Sequence, residues 1–177
     1  MFDPTAFDNM KVILEGSLYD MDLAKEIAII DRKDIVDLAS LSREFLVRFH
    51  MVGIAGIEAE VILRAGLVNL AAELLPSDTQ KNKAGCELLL QFDMKHKDDE
   101  TIFLEIQSII ESVWGAERKI TQKAAFDPFG QEDSIHNCIT VEFNRLITES
   151  QLSDLPDMIA YTSETLVRLY TYLESLN

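Results

Sequence analysis

Few side chains in this sequence are of the types most often recruited for chemistry: the histidines His50, His96 and His136, and the cysteines Cys86 and Cys138. Alternation along an extended strand puts His136 and Cys138 on one face with α-carbons about 6–7 Å apart, near enough for half a metal site or for a thiolate and its base. Neither a zinc-ligand spacing nor an orienting acid stands beside them in the sequence, so an ordinary sheet-surface pair is the expectation, with no metal and no cofactor. Cys86 and His96 also share a face. Ten residues of strand separate them by about 33 Å, so those two alone cannot hold one ion. His50, between Phe49 and Met51, reads as a partly buried residue at a helix end. The apolar segment Gly53 to Gly56 has neither the phosphate-loop arrangement nor the dinucleotide spacing, and no G-x-S-x-G, H-E-x-x-H or E-x-x-H pattern occurs.

The elements that must carry these residues are clearest between Cys86 and Trp114. Cys86, Leu88, Leu90, Phe92, Met94 and His96 alternate with Glu87, Leu89, Gln91, Asp93 and Lys95, the pattern of a strand covered on one side only. Asp98 or Asp99 is placed to cap a following helix, whose apolar residues Ile102, Phe103, Ile106, Ile109, Ile110 and Val113 recur at helical spacing before Gly115 ends it. Strand and helix each have one apolar side, which they bury most economically against each other.

Elsewhere the pattern predicts an irregular lead-in over residues 1–9, a first strand from Lys11 to Tyr19 with Gly16 at a bulge, and a short strand over Ile27 to Ile30. A helix ending near Met51 follows from the spacing of Leu38, Leu41, Phe45, Phe49 and Val52. Residues 57–75 fit a strand over 58–64 and a helix over 67–75, since Gly66 in mid-helix would cost about 1 kcal/mol relative to Ala; one buried helix is the alternative. Pro76 to Gly85 reads as a loop. Arg118 to Ala125 and the run containing Ile135, Ile139, Val141 and Phe143 read as an antiparallel pair around a turn at 126–130. Ser153 or Asp154 caps a long final helix with Pro156 in its first turn, and Leu155, Ile159, Thr162, Leu166, Leu169, Leu173 and Leu176 form its seam, expected to pack on the sheet.

These pieces imply one α+β domain over residues 1–177. Its expected form is two-layered, with a mixed sheet of about five to six strands and three to four helices mainly on one face. Parallel crossovers are expected over 58–94 and 86–124, flanked by antiparallel pairs. A chain of 177 residues, 47% hydrophobic, is long enough to bury an ordinary core without staples. Its 31 acids against 16 bases give a net charge of −15, which disfavours a main role in gripping nucleic-acid phosphates and is more compatible with a basic partner. Residues 125–177 carry nine acids against Arg145 and Arg168, a local net of −7. Arg118, Lys119 and Lys123 beside Trp114 form a compact basic patch that reads as a salt-bridged rim. Two cysteines fit a reduced, cytoplasmic setting, and the N-terminus lacks the pattern of a signal peptide. The longest apolar run, Met51 to Ile57, cannot span a bilayer, so no membrane association is expected.

The expected function is therefore a cytosolic protein-interaction or regulatory domain that self-associates. Its expected binding surfaces are the open sheet face, with Glu87, Gln91, Asp93 and Lys95, and a stripe of the last helix, with Tyr161, Thr165, Arg168 and Tyr172. The alternative is a small-molecule-binding enzyme with a pocket between sheet and helices that uses His136 and Cys138.

Overall fold

The computed structural model describes residues 5–75, 83–130 and 134–176. Six strands form a single open sheet: β1 (Ile27–Asp37), β2 (Ser42–Met51), β3 (Ile57–Ala65), β4 (Glu87–His96), β5 (Lys119–Ala125) and β6 (Ile135–Glu142), in the order β1-β2-β3-β4-β6-β5. Four α-helices accompany it: α1 (Ala6–Leu23), α2 (Leu67–Leu74), α3 (Glu100–Trp114) and α4 (Leu155–Glu174). The architecture is α+β, with α1, α4 and α3 lying side by side on one face and α4 over the central strands β2, β3 and β4. No helix among the described residues is long and apolar enough to cross a membrane.

The core is the set of side chains that strand alternation delivers to the helical layer. Phe45, Val47 and Phe49 of β2, Ala59, Val61 and Leu63 of β3, and Leu88, Leu90, Phe92 and Met94 of β4 meet Met10, Leu14 and Leu18 of α1, Ile106 and Ile110 of α3, and Ile159, Leu166 and Leu169 of α4. Burying each large side chain is worth about 1.5–3 kcal/mol, so this layer carries most of the fold's favourable energy. Ion pairs tie α1 to the sheet edge: Lys11 to Asp34, Arg32 to Glu15 at 2.6 Å, and Arg43 to Asp8 at 2.9 Å. At the far end of β4, His96 is buried edge-on against Phe103; its Nδ1–H donates to the Lys97 carbonyl (2.7 Å), so Nε2 accepts from Asn137 Nδ2 (3.0 Å).

The central unit stands as expected. Asp99 caps α3 by accepting from the Thr101 amide at 2.8 Å, and Gly115 leaves the helix with φ 88°. The strand-then-helix reading of 57–75 is borne out as β3 and α2, with Gly66 at the N-cap rather than inside a helix. The antiparallel β5–β6 pair and the long last helix are also present. The loop expected over Pro76 to Gly85 lies largely outside the described residues; Lys83 to Gly85 lead into a bridge between Cys86 and Ile147.

Three expectations are corrected. The stretch read as a first strand, Lys11 to Tyr19, is the body of α1, which also takes up residues 6–9 of the supposed lead-in. Its buried positions are Phe7, Met10, Leu14 and Leu18, a helical series, whereas Val12, placed inside by strand alternation, is 66% exposed. The helix expected before Met51 is the β1–β2 hairpin. Leu38, Leu41 and Val52 of its supposed stripe are exposed, and the operative pattern is the period-two series Phe45, Val47, Phe49. His50 accordingly lies near the end of β2, not at a helix end, with Nδ1 3.0 Å from the Met51 carbonyl.

The third correction is strand direction. Every neighbouring pair is antiparallel, so the sheet is not mixed and the 58–94 unit is not a parallel crossover. α2 spans only about 12 Å at 1.5 Å per residue, too short to carry the chain back along β3, and β4 returns beside β3 from the end where β3 stopped. The 86–124 unit keeps part of its expected geometry: β4 and β5 run the same way, but β6 lies between them and pairs antiparallel with both.

Candidate functional site

The open face of the sheet is where strand alternation leaves the side chains that do not enter the core. Glu87, Gln91, Asp93 and Lys95 of β4 all point there, as expected, and the register sets Asp93 opposite Cys138, Lys95 opposite His136 and Gln91 opposite Thr140. Gln91 Nε2 donates to Thr140 Oγ1 at 3.3 Å. Across the next strands stand Glu58 opposite Asp93, Glu60 opposite Gln91, and Arg48 opposite Glu60. Glu60 is almost wholly buried on this face. Arg48 reaches it at 3.5 Å and reaches Glu58 at 3.7 Å. Burial works against the Arg48 charge, but the surrounding Glu60, Asp93 and Glu58 carboxylates outweigh it and raise its pKa.

His136 and Cys138 do share this face, and the acid that the local sequence lacks comes from the neighbouring strand: Asp93 Oδ1 lies 3.5 Å from His136 Nε2. The order of the three groups is wrong for a thiol nucleophile. A base must stand between the thiol and the orienting acid, whereas here Asp93 sits between Cys138 and His136 and hydrogen-bonds to the thiol itself. Burial first, then the Asp93 charge and that hydrogen bond, push the Cys138 thiol up to about 11. A nucleophilic cysteine needs the opposite shift. Cys86 is fully buried at the start of β4 and is pushed up to about 12, chiefly by burial. Among the described residues, no group of three or more His, Cys, Asp or Glu side chains is arranged to hold a metal ion.

The expected stripe on α4 faces a neighbouring helix more than it faces solvent. Thr165 is fully buried and accepts from the Trp114 indole Nε1 at 3.0 Å; Tyr161 packs edge-on to Trp114 at 6.1 Å; Arg168 reaches Ser112 on α3 at 3.3 Å while pairing with Glu164 at 2.5 Å. Tyr172 has its pKa raised by burial, by the Glu105 carboxylate of α3 and by that of its capping residue Asp99. Tyr161 and Arg168 remain about half exposed, so this edge of the α3–α4 seam is a surface, but a partly used one. In the basic patch, Arg118 stacks over Phe143 and Lys119 pairs with Glu142 at 2.9 Å.

Sequence reasoning passed over an exposed apolar surface on α2. α2 buries only Ala72, while Leu67, Val68, Leu74 and the adjoining Leu75 are 48%, 60%, 59% and 71% exposed. Leu70 lines a cavity of about 20 Å³ together with Leu41 from the β1–β2 turn, which sets the hairpin tip, where Leu38 and Leu41 are also exposed, beside the helix. Its only acid, Glu73, turns inward and accepts from the Ala6 amide (3.0 Å) at the start of α1. The signal was present in composition: Leu67, Val68, Leu70, Ala71, Ala72 and Leu74, with Leu75 at the cap, give a short helix an apolar arc of about 200°, broken only on the side of Asn69 and Glu73 and wider than one sheet contact covers.

Compared with known proteins, the sequence matches no protein family, no curated protein and no solved structure. The reading of function therefore rests on these surfaces alone.

Proposed function

We propose that this chain is a cytosolic protein-interaction domain of regulatory type that self-associates through α2 and the β1–β2 turn. The observation that carries the reading is the uncovered apolar face of Leu67, Val68, Leu74 and Leu75 beside Leu41. Scattered exposed leucines are ordinary on a monomer, whereas four exposed apolar residues within the nine positions from Leu67 to Leu75 favour an interaction surface. Two copies each carrying −15 repel. The inward turn of Glu73 leaves the outer face of α2 without a charge, and repulsion from more distant groups is screened beyond about 8 Å at physiological salt. Free Cys86 and Cys138 fit a reducing compartment. The open sheet face, with Glu58, Glu60 and Asp93 gathered around Arg48, suits a basic partner better than nucleic acid. The raised Cys138 thiol, with Asp93 rather than His136 beside it, speaks against the enzyme alternative.

Size-exclusion chromatography with light scattering on wild type and Val68→Asp tests this. Val68 lies in the first turn of α2, where an acid is favoured by the free amides, so the substitution introduces a charge into the face without unwinding the helix. Wild type should elute as an oligomer and the variant as a monomer. A monomeric wild type at micromolar concentration would overturn the proposal.

A further inference from the structure

A cavity of about 220 Å³ opens where the end of α3, the end of β6 and the start of α4 converge. Trp114, Phe143, Ile147, Met158 and Tyr161 form its apolar walls. Trp114 and Phe143 pack edge-on at 5.6 Å, and the Trp114 indole is anchored on buried Thr165, so two of these walls are rigid. The cavity's polar lining carries two cations, Arg118 and Arg145, and one acid, Asp154, and Arg118 also pairs with Glu117 at 3.6 Å. Arg118 is held in place, its Nε donating to the Trp114 carbonyl at 3.2 Å and its guanidinium lying 5.2 Å over the Phe143 ring. Arg145 is exposed and has no ion pair or hydrogen bond among the described residues. Gln151 and Asp154 complete the rim, and Asp154 makes no side-chain cap to the helix that it begins.

We propose that this cavity binds the C-terminal residue of a partner protein, a large apolar side chain entering the aromatic walls while its free carboxylate meets Arg145 and Arg118. Three features select that occupant. The volume is below the roughly 300–1,000 Å³ of pockets that enclose a whole small molecule, but suits one side chain whose attached chain continues outside. Two guanidiniums among the lining residues, Arg118 from the basic patch and Arg145 from the acidic C-terminal segment, complement an anion, and paired donors on a planar fork match a carboxylate. Asp154 offers acceptors to the amide N–H groups of the preceding peptide, which a carboxylate-only ligand would leave unused, while Gln151 Oε1 already accepts from the Thr148 amide at 3.3 Å. The site shares no residue with the α2 face. It rests on the interaction-domain reading but not on self-association.

Trp114 is the only tryptophan of the chain and stands in the cavity wall, so its fluorescence reports occupancy directly. The full chain would be titrated with a short peptide ending in phenylalanine as the free acid, with the same peptide amidated, and with free phenylalanine; the peptide arms would be repeated on Arg145→Ala and Val68→Asp. The expected result is saturable binding of the free-acid peptide, weakened about tenfold or more by amidation and by Arg145→Ala, and unchanged in Val68→Asp. Arg145 is exposed, so its removal does not disturb folding, and the amidated peptide gives the same comparison on the unaltered protein. Equal binding of acid and amide, no saturable signal with any peptide, or free phenylalanine binding as tightly as the peptide would each overturn the proposal.

Discussion

Alkylation of Cys138 tests the chemistry of the open sheet face. Its thiol is pushed up to about 11 from an ordinary 9.0, so at neutral pH the native protein should hold about a hundredfold less thiolate than the unfolded chain. The rate of iodoacetamide labelling should fall by that factor, and further where burial limits access. Asp93→Asn removes the charge and the acceptor beside the sulfur but leaves burial, the largest cause, in place. It should therefore restore part of the shift and raise the rate, but by less than the full hundredfold. His136→Ala should leave the rate unchanged, because His136 pairs with Asp93 and not with the sulfur. Intact-mass kinetics on native and urea-unfolded protein, with peptide mapping to separate Cys138 from buried Cys86, gives all of these rates. Native labelling as fast as unfolded, or a marked loss of rate in His136→Ala, would show a thiolate–imidazolium pair and refute the reasoning.

Two further outcomes follow from single contacts. A Cβ at Gly85 would lie 2.5 Å from the Ile147 carbonyl oxygen in a backbone of φ 143°, so Gly85→Ala should break the Cys86–Ile147 bridge and lower stability by about 1–3 kcal/mol in urea unfolding. Glu73 is raised by burial, so its ionised form costs the folded state stability; that cost is absent at acid pH and grows as pH rises through its folded pKa. Glu73→Gln, which keeps an acceptor for the Ala6 amide, should raise Tm relative to wild type at neutral pH, with the gap closing as pH falls through the carboxylate range.

The parts of the fold legible in the sequence are those where one periodicity has no competitor. β4 alternates over ten residues and α3 repeats at helical spacing between a capping acid and a terminal glycine, and both stand as read. The misread segments carry two patterns at once. Val12, Leu14 and Leu18 alternate, but Phe7, Met10, Leu14 and Leu18 are the buried set; Leu38, Leu41, Phe45 and Phe49 have helical spacing, but only the last two are buried. In each case the misleading residue is an exposed apolar one, and Leu38 and Leu41 belong to the surface that we propose as an interface. A local pattern cannot tell an apolar side chain facing the core from one facing a partner. Strand order is not local either: the insertion of β6 between β4 and β5 is what brings Asp93 to Cys138 and Lys95 to His136. The open-face residues Glu87, Gln91, Asp93 and Lys95 were legible because they need only the alternation of one strand.

The central claim is that an uncharged α2 face joins two copies of the chain. Sedimentation velocity over a concentration series, comparing wild type with Val68→Asp, tests it most directly. Wild type should shift from monomer to a discrete larger species as concentration rises, and Val68→Asp should sediment as a monomer throughout with unchanged circular dichroism. Wild type that stays monomeric across the series, or a variant that assembles as wild type does, would contradict it.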